Sequence, residues 1–116
     1  MSSILNDTKQ VIGGAENGDA FDLDLIMAIN GYLAYLTQIG VGPKGGYVIS
    51  DASDEWEDFV GANDKVLLSL IKNYICLKVR MQFDNPGGGV GTSLEEKIKE
   101  YEWRIYTHTD LEHIPY

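Results

Sequence analysis

The stretch NDKVLLSLIKNYICLKVRMQFDNP, Asn63 to Pro86, decides the fold class. Its apolar residues Leu67, Leu70, Ile71, Tyr74, Ile75, Leu77 and Met81 recur at steps of three and four, the period of a helix with one face in a core. Asn63 or Asp64 supplies the N-terminal cap. Asp84-Asn85-Pro86 ends the helix at about Phe83, because proline pushes the residue before it out of the helical region. Some twenty residues at about 1.5 Å each make a rod of roughly 30 Å, the width of a small domain. Lys78 falls inside the apolar arc, close to Leu67 and Tyr74 on the helical wheel. An ammonium there either snorkels to water or meets a buried acidic partner.

Working outward, four more helices are predicted. One runs from about Ser3 to Ile12 and stops at Gly13-Gly14. The next spans about Phe21 to Ile39, with Phe21, Leu25, Ile29, Tyr32, Leu33, Leu36 and Ile39 on one face and Asp19 or Asp22 at its start. A short helix over about Ser53 to Val60 carries Trp56 and Phe59. Thr92 with Glu95 three residues on forms a capping-box pattern that opens the last helix, whose stripe is Leu94, Ile98, Tyr101 and Ile105. Gly87 to Gly91 reads as a flexible linker, and Tyr47 to Ser50 is the one place for an extended piece. The expected fold is all-α: a small bundle of about five helices with a long central helix. Residues 1–106 form the helical domain, and 107–116 an extended C-terminal tail.

Composition bounds the rest. A chain of 116 residues is one domain that buries about two-thirds of its unfolded surface, too little for a core plus a deep substrate cleft. Nine basic residues stand against eighteen acidic ones, a net charge of −9. Proteins that grip nucleic acid cluster Lys and Arg against phosphates, so this chain should repel DNA. No apolar run approaches the roughly 20 residues of a membrane span. The start, Met1 to Asp7, lacks the pattern of a signal peptide, and the single Cys76 fits synthesis in a reducing cytoplasm.

Catalytic and cofactor chemistry is not expected. The glycine stretches at 40–46 and 87–91 lack the Lys-Ser/Thr pair that a phosphate loop needs after a buried strand. His108 and His113 sit in the tail without the cysteine partners and short spacings of a zinc site. Asp22, Asp24, Asp51 and Asp54 do not make a calcium loop. A buried helical thiol such as Cys76 is inert.

Interface material stands out instead. Trp103 lies about 180° from Leu94 on the last helix, so it faces away from the core stripe, and tryptophan is enriched at interface hot spots. Opposite the core face of the second helix lie Met27, Gly31, Ala34 and Gln38. Gly31 costs about 1 kcal/mol against alanine in mid-helix, which is reasonable where another backbone comes close. Trp103, Gly31 and Ala34 are therefore the candidate subunit contacts. The tail carries Leu111, Ile114 and Tyr116, too few for a core but suited to docking on a neighbour.

Three stretches resemble tailed-phage head–tail connector proteins. They are Asn73 to Pro86, which is similar to a "YLKVRxxFDPP" helix end; Leu94 to Arg104, ending in Glu-Trp-Arg; and Phe21 to Pro43, with "FDxDLIxxIN" and "GVGP". The likeness covers about residues 1–106. Asn85 replaces the first of two prolines, and the tail after Thr107 lies outside the pattern. The resemblance implies a small helical structural protein of the virion. It would form a homo-oligomeric ring, typically a dodecamer, beneath the portal protein. There it extends the DNA channel and offers a surface to the next tail component, with DNA passing unbound. Two readings from other classes are a free-standing helical binding module or small regulator, marked by a stable monomer or dimer, and a small enzyme, marked by a polar pocket with perturbed titratable groups.

Overall fold

The computed structural model describes residues 3–12, 22–61, 63–83 and 88–113; within the last of these, only the backbone is described for 88–90 and 109–113. Its helices are α1 (Ile4–Val11), α2 (Asp22–Gln38), α3 (Trp56–Val60), α4 (Lys65–Phe83) and α5 (Gly88–His113). The all-α expectation holds. Phe21, Asp19 and the Gly13–Asp19 turn fall outside the described residues.

The central helix has more buried surface than one stripe supplies. Leu67, Ile71, Tyr74, Ile75, Cys76 and Val79 are all buried, because α4 packs against each of the other four helices. Of its two candidate caps, Asp64 is the one used: its Oδ1 accepts the Leu67 N–H at 3.0 Å. α5 packs antiparallel on α4, since Tyr74 meets Glu102 while Asp64 meets His108 at the other end. Leu94, Ile98 and Ile105 of its expected stripe are buried, with Tyr101 packed beside them. In α2, Leu25, Ile29, Leu33 and Leu36 are buried as the periodicity requires.

α1 is tied down through Asp7. Its Oδ2 accepts the Trp56 indole N–H at 2.9 Å and lies 3.2 Å from the Lys72 ammonium, joining α1, α3 and α4. Lys9 reaches Asp22 at 2.9 Å and links α1 to α2. Trp56 is itself buried among Ile4, Leu5 and Phe59 of the same core.

Three local expectations need correction. α3 begins at Trp56, not Ser53, because side chains claim the preceding backbone donors. Asp54 Oδ2 accepts from the Ser50 and Asp51 N–H groups, and Asp51 Oδ1 from that of Ser53, a competition with helix that aspartate often wins. Second, α5 starts at Gly88, so Gly88 to Gly91 form its first turn and not a linker, Gly87 lies outside the described residues, and Thr92 lies inside the helix, not at its cap. The helix forms despite the low propensity of glycine, and Gly91 is buried. Third, α5 continues across the expected boundary at 106/107, so residues 107–113 are helical and not an extended tail. No glycine or proline interrupts the chain between Thr92 and Ile114, and His108 is held by Asp64 at 2.8 Å. Tyr47 to Ser50, the one place left for an extended piece, has no strand partner among the described residues. The one strand-like pairing among the described residues is an isolated bridge between Ser3 and Glu55.

The 40–46 turn needs its glycines at one point above all. Gly42 has φ 83°, and a Cβ built there would lie 2.5 Å from the Phe59 ring. The turn thus lies directly on the core.

Candidate assembly surfaces

Two helices turn apolar faces to solvent. On α5, Trp103 is 66% and Tyr106 55% exposed, next to an Arg104–Glu100 ion pair at 2.6 Å. Trp103 does face away from the core, as its place on the wheel requires. On α2, Leu23 is 69% and Met27 66% exposed, and Gly31, Ala34 and Gln38 continue the same line of the helix outward. A Cβ added to Gly31 would meet nothing within 4 Å. No backbone of the described residues approaches Gly31, so its own fold gives no reason for a glycine there. Beside this face lies a shallow hollow of about 310 Å³ between Ala34, Gln38 and the Gly45–Val48 segment, where Val48 is exposed.

Lys78 takes a position between the two expected for it. It is half-buried, and its ammonium stands over the Tyr32 and Tyr74 rings, 5.8 and 6.0 Å from their centroids. Tyr74 spends its hydroxyl on Glu102 Oε2 at 3.0 Å, and Tyr32 donates to Gln82 Oε1. Burial, reinforced by the Glu102 carboxylate, pushes the Tyr74 hydroxyl well above the usual tyrosine range.

The segment from Tyr47 to Asp58 gathers negative charge. Asp51, Asp54, Glu55, Glu57 and Asp58 lie within eight residues. Burial, with Asp54 beside it, raises the Tyr47 hydroxyl to about 12. Hydrogen bonds from Ser53 hold Asp51 below the usual carboxylate range.

Cys76 is buried, and burial lifts its thiol to about 11, far from a nucleophile's range. Among the described residues no group of three His, Cys, Asp or Glu side chains is placed to hold a metal. No described helix is long and apolar enough to cross a membrane. Of the tail candidates, the backbone of Leu111 is helical but its side chain is outside the described residues, as are Ile114, Tyr116 and the side chain of His113.

Periodicity did not flag Leu23, Val48 or Tyr106. Leu23 was open to discovery, four residues before Met27 on the same face. The Asp7 junction and the Asp64–His108 pair join residues 49 and 44 apart in sequence, and no local spacing signals such contacts.

The family model described as phage connector protein matches residues 4–112, nearly the whole chain. The chain belongs to the phage connector family. No curated protein and no solved structure matches it. A connector is a structural component of the particle, associated with phage head and tail parts. Exposed Trp103 and Met27 are the kind of residues such association uses.

Proposed function

We propose that this connector chain closes into a ring, of twelve copies in the particle, at the head–tail junction beneath the portal protein. The ring continues the DNA channel and gives the next tail component a surface to dock on. The observation that carries this reading is the pair of different exposed apolar faces, Leu23, Met27, Gly31 and Ala34 on α2 and Trp103 with Tyr106 on α5. A cyclic ring larger than a dimer forms by head-to-tail contacts, which need two unlike patches on every subunit. A bare glycine helix face suits a large aromatic from the next copy.

The charge of −9 supports a channel that DNA passes without sticking, since carboxylates repel phosphates within about 8 Å at physiological salt. The end of the chain, with Leu111, Ile114 and Tyr116, is proposed to dock on the portal or an adjacent subunit. Averaged images of assembled particles test the whole reading. The expected result is a ring of copies of this chain at the junction, and absence of the chain from that position overturns it.

A further inference from the structure

We infer that the groove between α2, α4 and α5 receives the acidic segment Asp51–Asp58 of a second copy of this chain, with Lys78 as its central cation. The inference rests on the ring reading above and names the polar half of that contact. The groove holds about 370 Å³ and is lined by Tyr32, Lys78, Met81, Ile98, Lys99 and Glu102, among others. Besides exposed Glu95, its acceptors are engaged, Glu102 by the Tyr74 hydroxyl and Gln82 by that of Tyr32. Lys78 is not: its ammonium rests on two rings, with no ion-pair partner among the described residues. A half-buried ammonium over aromatic faces gains most from an anion that arrives with the apolar surface needed to shut out water. Exposed Lys99 at the rim balances exposed Glu95, which leaves Lys78 as the cation inside.

Residues 51–58 are the complement. They carry five carboxylates and no Lys or Arg, and none of the five is in an ion pair among the described residues. One Glu57 oxygen is buried without a hydrogen-bond partner there. The segment is already shaped, because Asp54, Asp51 and Asp58 accept backbone N–H groups within it, and Asp51 and Asp58 remain exposed. Little ordering is lost when it docks.

The two features stand on different flanks of α4. Trp56 meets Asp7 beside Lys72, whereas Lys78 lies six residues on, about 240° round the helix. Their separation suits a head-to-tail contact between copies. Copies of a chain at −9 repel one another, and the register that sets the most acidic segment against the cation of this groove relieves that repulsion.

Charge reversal in the full chain tests this, with self-association read by light scattering and fold by circular dichroism. Lys78→Glu and Asp58→Lys should each weaken self-association at least tenfold. Mixed one to one, they alternate a native contact with a charge-swapped one, so the mixture should regain rings that neither variant forms alone. Both changes in one chain should restore the rings. Lys78→Met keeps the volume and drops the charge; it reads the same contact should the reversal disturb folding. Rings undiminished in Lys78→Glu and Lys78→Met, with Trp103→Ala rings weakened, overturn the inference and leave the ring reading standing. Normal rings that no longer join the portal overturn it in favour of a different occupant. Absence of self-association in the unmodified chain and of rings in the particle overturns both.

Discussion

The Asn30 side chain and the Ile49 backbone hold each other by two hydrogen bonds, Nδ2–H to the Ile49 carbonyl at 3.1 Å and the Ile49 N–H to Oδ1 at 2.7 Å. An amide side chain on α2 thus does for an extended segment what a neighbouring strand would do. Ile49 is buried, so both of its backbone polar groups need a partner. Asn30→Ala should destabilise the subunit by about 2–3 kcal/mol, the penalty for leaving a buried donor and acceptor unpaired. Thermal unfolding checks it, with a fall on the order of 10 °C in Tm.

Alkali should loosen the same region. The folded Tyr47 pKa is raised to about 12 from an unfolded 10, so its contribution is fully present below pH 10 and is lost as pH rises from 10 through 12. Tyr74 and Tyr32 are raised as well and add to the loss. Denaturant titrations from pH 9 to 12 should show falling stability, with a shallower fall in Tyr47→Phe.

Trp103→Ala should leave the isolated subunit as stable as before to within about 0.5 kcal/mol, since the side chain is largely exposed. The same change should weaken the ring. An unfolded Trp103→Ala chain would show that the indole belongs to the subunit's own core.

Purified protein should show no measurable affinity for duplex DNA at physiological salt, in fluorescence anisotropy with a labelled duplex. The net charge of −9 gives no cluster of cations to displace counterions. Tight binding that weakens as salt rises would contradict a passive channel wall.

Two truncations separate docking from folding at the C-terminus. Ending the chain after His113 should leave stability unchanged and reduce attachment to the particle. Ending it after Tyr106 should in addition lower stability by about 1 kcal/mol, because it removes His108 from Asp64 and two turns of α5.

Helix positions were readable from sequence wherever burial imposes a period. The stripes of α2 and α4, and Leu94, Ile98 and Ile105 in α5, needed only the spacing of apolar residues. Ends were less readable, for reasons that differ from place to place. Asp51 and Asp54 delayed α3 by capturing backbone donors, while α5 takes in Gly88 to Gly91 although their propensity opposes helix. Among the surface candidates, Trp103 was legible because a single wheel position sets its direction. Lys78 was legible as an anomaly, but its rings come from Tyr32, 46 residues away, and Tyr74 beside it. The clamp from Asn30 to Ile49 has no local signature at all.

The pairing of Asp64 with His108 bears on how the chain reaches its shape. α4 and α5 are neighbours in sequence and antiparallel in space, and this pair secures the end of the hairpin farthest from the connecting residues. The two helices share the most extensive contact of any helix pair among the described residues, and the connection between them is short. The hairpin is therefore the natural nucleus, with φ-values highest along Tyr74, Ile98 and Ile105 and low in α1 and at Trp56. A nascent subunit would then fold from its C-terminal half backwards, and the acidic segment would gain its shape last.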